Sequence, residues 1–227
     1  MKRARAIGSA VAISVVAAGL TASPAAAAQP RIYHTIKAAN GFAFLDETRG
    51  CERTEVFVSS SRAMYAAQPG PVVKQGFTDA LVRVTDLCAL RAAAGGGPPV
   101  VFEAEGRAMV PLTVDARLTR ASVEADLPGA DGAGNPVTIH LATNWTGTGA
   151  LEHTSVHNHV LVPGTGVVNA NDNNLRREVT ARVSVTGADR AASGTAAEAS
   201  LELVKSMCIE VPRPGVEGFY PCFGFPG

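Results

Sequence analysis

Three imidazoles stand at alternating positions, His153, His157 and His159, in a stretch whose residues alternate as a strand does. Side chains at even spacing on a strand share a face, so the three would line one surface. His-x-His on a strand suits two ligands of zinc or copper, and His140, one strand earlier, could approach as another. Such a site also needs neighbours that orient the rings, and Glu152 is the one carboxylate close in sequence. Against this stands the opposite parity. Val156, Val160 and Val162 call for burial, which would turn the histidines to water. The expectation is an exposed row of histidines that binds no metal tightly, with an extracellular metal-binding module as the alternative.

Other residue types offer less. Trp145 is the single tryptophan and could stack on a sugar, but it shares parity with Ile139 and Leu141 and reads as core. The stretch from Asn169 to Asn174 is oxygen-rich, yet it lacks the acidic spacing and closing Glu of a calcium loop, so a polar turn is expected. Neither a G-x-S-x-G elbow nor an H-E-x-x-H helix occurs. A secreted hydrolase would have to assemble its Ser, His and Asp in space, which makes it the second alternative. No cofactor is implied.

The elements that would carry these residues are strands. Period-two alternation recurs at residues 54–58, 81–87, 100–105 and 108–114, with Pro111 marking the last run as an edge or bulge. The clearest hairpin has Ala121, Val123, Ala125 and Leu127 on one face of its first arm. Turn chemistry follows from Pro128 to Pro136, and Val137, Ile139, Leu141, Thr143 and Trp145 share the buried face of the return. Gly147-Thr-Gly149 closes that arm. Further strands are expected at 153–162, 178–186 and 197–204, with an Ala- and Glu-rich helix over 190–205 as a competitor. The pattern predicts an all-β fold, an antiparallel β-sandwich or a meander or barrel.

The first 28 residues have the three sections of a secretory signal peptide: Lys2, Arg3 and Arg5, then an uncharged run from Ala6 to Leu20, then Ala25–Ala28. Cleavage is expected after Ala28, which predicts a secreted, extracellular protein. The apolar run is shorter than the roughly 20 residues of a spanning helix. Removing residues 1–28 takes three positive charges from a balance of 20 basic and 20 acidic residues, leaving a slightly acidic domain. Without a basic stripe, nucleic acid is not an expected partner, and neither is an anionic membrane surface. Residues 29–205 then form one β domain, and 206–227 a Pro/Gly-rich tail with Phe219, Tyr220, Phe223 and Phe225.

All four cysteines lie in the exported part. An even number in an oxidising compartment predicts two disulfides, and proximity in sequence selects Cys51–Cys88 and Cys208–Cys222. Absence of a C-x-x-C pair argues against zinc.

Two local patterns carry a resemblance. Gly50-Cys51-Glu-Arg-Thr54-Glu-Val56-Phe57-Val58 with Asp86-Leu-Cys88 downstream is one; Thr143-Asn-Trp145-Thr146-Gly147-Thr148-Gly149 is the other. Together, over residues 40–205, they resemble a loose set of secreted, largely actinobacterial β-rich proteins with no assigned activity. The resemblance implies fold and address, adds weight to Cys51–Cys88, and implies no function. The leading expectation is a non-enzymatic secreted or envelope-associated protein.

Overall fold

The computed structural model describes residues 32–68, 70–89, 99–162, 166–187 and 190–212, with backbone alone at 160–162, 166–168 and 210–212. The expected signal segment ending at Ala28, Cys222 and the aromatic residues of the expected tail lie outside these residues. Ten strands follow one another: β1 (Ile32–Arg49), β2 (Glu52–Gln68), β3 (Val72–Asp86), β4 (Val100–Ala108), β5 (Thr113–Val114), β6 (Arg120–Asp131), β7 (Pro136–Val162), β8 (Gly166–Gly187), β9 (Arg190–Thr195) and β10 (Glu198–Pro212). No α-helix occurs among the described residues, so the competitor over 190–205 gives way to β9 and β10.

Every pairing is antiparallel. Neighbours in sequence pair from β1 to β4, β4 pairs with β6, and β6, β7 and β8 continue the meander. The last strand then lies between the first and the eighth: β10 pairs with β1 on one edge and β8 on the other. The ring of pairings therefore closes into a barrel, although β7 from Leu151 onward pairs with β8 alone and the start of β3 pairs with β2 alone. β9 pairs farther along β8 and leads into β10 across Ala196 and Ala197.

Inward positions alternate along each strand, and at one end they fill the barrel. Small residues (Ala43, Ala80, Ala104, Ala121) interleave with Val56, Val82, Leu127 and Leu141, as a narrow interior requires. Pairing of this end is also covalent. Cys51, in the turn where Gly50 takes a φ of +61°, bonds Cys88 just after β3, with 5.2 Å between their Cα atoms. Two disulfides were expected. One is seen among the described residues; Cys208 is buried and is not a free thiol, but its expected partner Cys222 is outside them.

Several expected boundaries move. Gly147-Thr-Gly149 does not end an arm: β7 runs through it with a register shift between Gly147 and Leu151, so residues 153–162 continue the same strand. The stretch 169–174 is not a turn but part of β8, where its polar side chains are half-buried. Ser206 does not begin a tail, since β10 pairs on both edges through Glu210 and Ser206 is buried. Residues 109–112 are not strand, because Pro111 and the packing of Leu112 take the chain out of the ladder and into the barrel.

That connector between β4 and β6 seals the middle of the barrel. Leu112 and Leu118 are both buried, the Leu112 amide donates to the Ser61 carbonyl at 3.2 Å, and the Thr78 hydroxyl donates to the Val110 carbonyl at 2.8 Å. Leu118 holds a left-handed φ of +54°, a conformation a bulky residue adopts only when its burial compels it. Asp115 stabilises the tight turn around it. Its carboxylate accepts from the amides of Arg117, Thr119 and Arg120 and from the Thr119 hydroxyl.

The Thr119 hydroxyl and then these amides hold the Asp115 carboxyl down to about 2, below the ordinary 3.8. A depressed folded-state value means that its stabilisation is complete above about pH 5 and is lost as the pH falls through 3.8 towards 2. Asp115→Asn should therefore be less stable than the parent near neutrality, by about 1 kcal/mol, and the gap should close towards pH 2. Urea unfolding of both proteins across that range checks this; a gap independent of pH rules it out.

Candidate functional site

The strands continue well past the sealed middle, and the inward residues there form rows that run around the wall. Pairing registers place Leu201, Gly41 and Ser60 in one row, Leu203, Ala39 and Arg62 in the next, and Lys205, Lys37 and Met64 in the row above. On one side these rows continue onto β3, through Gly76 and Lys74. On the other they continue onto β8 and β7, through Leu175 and His153, then Asn173 and Ser155. The floor is apolar: Trp145, 1% exposed, lies with Leu112 and Leu201 under Gly41, and its indole N–H donates to the Phe42 carbonyl at 2.8 Å. A Cβ at Gly41 would stand 3.2–3.4 Å from all three. At Gly76 a Cβ would run into Pro111, so the glycine lets the connector lie against the wall.

What remains above this floor is an open chamber of about 860 Å³. Its lining is mostly apolar (Ala39, Met64, Pro111, Leu175 and Leu203 among it), with His153 and Asn173 on one side. The basic groups that line it are Lys37, Arg62, Lys74 and Lys205, while no serine and no carboxylate is among the lining residues described. At the opposite end of the barrel the space shrinks to about 130 Å³. There the rim is tied by ion pairs, Arg190–Glu52 at 3.2 Å and Arg49–Glu47 at 2.7 Å. The barrel thus has one sealed end and one open end.

His153, His157 and His159 do share a face, which is that of the chamber wall, and all three are exposed. The reason expected for their exposure does not hold, however. Val156, on the other face, is 45% exposed, because β7 beyond the bulge belongs to a long hairpin wetted on both sides; the side chains of Val160 and Val162 are outside the description. His153 lies across from Leu175 and His157 from Asn171. His159 shares a 2.5 Å hydrogen bond with the Asn169 amide oxygen. His140 does not join them: it is near the sealed end, opposite Thr186, and bonds the Asp126 carboxylate at 2.6 Å. Among the described residues no three His, Cys, Asp or Glu gather as metal ligands. Strand rise separates His153 from His157 by roughly 13 Å, too far to share one ion. Calorimetric titration with Zn²⁺ should accordingly show no sub-micromolar site; such binding, abolished when the three histidines become alanine, would reverse this reading.

The alternation that exposes the histidines also hid the more telling residues. Lys205 follows Ala199, Leu201 and Leu203 at the next inward position, and Lys37 precedes Ala39 in the same way. A cation where the alternation demands an apolar side chain was the available signal.

No family model, curated protein or solved structure matches the chain. Fold and chamber are therefore the grounds on which function can be argued.

Proposed function

We propose that this is a non-enzymatic exported barrel that holds an apolar small molecule in its open end. The single observation that carries the reading is the chamber: about 860 Å³, walled by strands and by the connector residues Met109, Pro111 and Ala116, sealed below and open above. Pockets for small organic ligands span roughly 300–1,000 Å³ and are mainly apolar with a few polar groups. A hydrolase would need a nucleophile and a carboxylate beside an imidazole; Ser155 shares the inward face with His153, but no carboxylate is among the described residues lining the chamber.

Burial on the other side of the wall supports water as the surroundings. Outward positions on β6 to β8 include Glu124, Asp126, His140, Asn144, Thr180 and Arg182, while the buried inward ones there are apolar apart from Thr143. A lipid-spanning barrel has the reverse arrangement. No described helix is long and apolar enough to cross a membrane. Export itself is supported by the first 28 residues and by the Cys51–Cys88 bond, which persists in oxidising compartments.

Titration of the mature protein with N-phenylnaphthylamine, an uncharged apolar dye, tests the reading. Saturable fluorescence enhancement at one site per chain is expected, and Ala116→Trp, which fills the chamber from the exposed connector, should weaken it at least tenfold. Enhancement that does not saturate, or that the tryptophan leaves unchanged, means the chamber is not a binding site.

A further inference from the structure

Like charges directly opposite one another across a strand pair destabilise a sheet. Lys37 and Lys205 are such a pair, on the inward face. Lys74 stands in the same row beyond Met64, and Arg62 is one row nearer the floor. Four cations thus line one side of the chamber, while no carboxylate occupies an inward position in these rows. Nearby acids such as Glu202 and Asp172 have the outward parity. All four cationic side chains are exposed: Lys37, Lys74 and Lys205 stand one row above Ala39, Leu175 and Leu203, and Arg62 stands in that row. The arrangement is ordered along the barrel axis: apolar floor, apolar wall, then cations.

We infer that the chamber takes an amphiphilic anion, a long apolar body ending in a single carboxylate or phosphate monoester. The body lies against Ala39, Met64, Leu175 and Leu203, and the head is held by Lys37, Lys205, Lys74 and Arg62. The inference rests on the chamber being a binding site at all, and adds the charge and direction of its occupant. Without that anion the lysines repel one another; with it their charges are offset. Both head groups accept hydrogen bonds from ammonium and guanidinium donors. Asn173, directly across from Lys205, and His153 on β7 add side chains that can donate hydrogen bonds to the head.

The experiment compares cis-parinaric acid with its methyl ester, two fluorescent chains that differ in the charge of the head. The acid should bind the mature protein at least tenfold more tightly, and raising the salt concentration should erode that preference, since exposed charges are screened. Lys37→Gln combined with Lys205→Gln should weaken the acid roughly tenfold and leave the ester unchanged; both side chains are exposed, so folding is not at stake. Displacement of the acid by an alkyl phosphate or by an alkyl carboxylate then identifies the preferred head. Equal affinity for acid and ester overturns the anionic inference and leaves the apolar chamber standing. If neither chain binds saturably, the proposed function falls as well.

Discussion

Trp145→Ala should cost the barrel about 4 kcal/mol of stability, within the range for truncating a fully buried aromatic. Its ring is the largest side chain among the fully buried residues, and it lies where the packed end meets the chamber. Removing it deletes contacts with Leu112, Leu201 and the Gly41 backbone and leaves the Phe42 carbonyl without its indole donor. Those partners come from a connector and from β1 and β10, so they cannot move together to close the gap. Trp145→Phe separates the two contributions: it keeps most of the packing and loses the hydrogen bond, for about 1 kcal/mol. Urea unfolding followed by circular dichroism measures both. A loss under 1 kcal/mol in the alanine variant would show that the floor is not packed as described.

Residues with one wet face made much of this fold legible. From Arg120 to Trp145 apolar and polar side chains alternate cleanly, and burial follows that alternation residue by residue. Cys51–Cys88 was equally accessible, from an even number of cysteines and from proximity. β1 was not, for a physical reason. Its inward residues Ala39, Gly41 and Ala43 are small because the barrel is narrow there, while Phe42 and Phe44 point outward, so neither face reads as the apolar one. Closure was also hidden: the strand that joins β1 to β8 contains Ser206 and Cys208 and runs into Pro212, a composition that resembles a linker.

The site divided along similar lines. Histidines attract attention because imidazole chemistry is local and their spacing is visible in a short stretch. A chamber is not local. Lys37, Arg62, Lys74 and Lys205 come from β1, β2, β3 and β10, and only the registers bring them to adjoining rows. Nothing in any one of these strands marks its cation as part of a set. Exposed cations usually mean a solvated surface, and here three of the four strands have their outward faces partly apolar as well, with Phe42, Phe57 and Val73.

Gly129→Ala should be the most disruptive single methyl in the barrel, costing about 3 kcal/mol, the upper range for overpacking. The ring of strands is held between β4 and β6 by three residue pairs, Ala104–Asp131, Glu105–Ala130 and Gly106–Gly129. Elsewhere the pairings are long; β1 and β2 alone stay in register from Tyr33–Gln68 to Arg49–Glu52. At this short seam the two backbones touch. A Cβ on Gly129 would fall on the Glu105 carbonyl and stand 2.7 Å from the Gly106 Cα, and one on Gly106 would stand 2.6 Å from the Leu127 carbonyl. These are backbone atoms fixed by the ladder, so no side chain can turn aside, and the strands must separate. Gly132→Ala is the matched control three residues away, where the nearest atoms are 3.8 Å from a Cβ and nothing has to move. Thermal unfolding should place the Gly129 variant well below both the parent and the control. Hydrogen exchange should show the β4 and β6 amides losing protection first. Equal stability of the two variants, or lost protection spread evenly over the barrel, would mean that this seam is not where the ring is weakest.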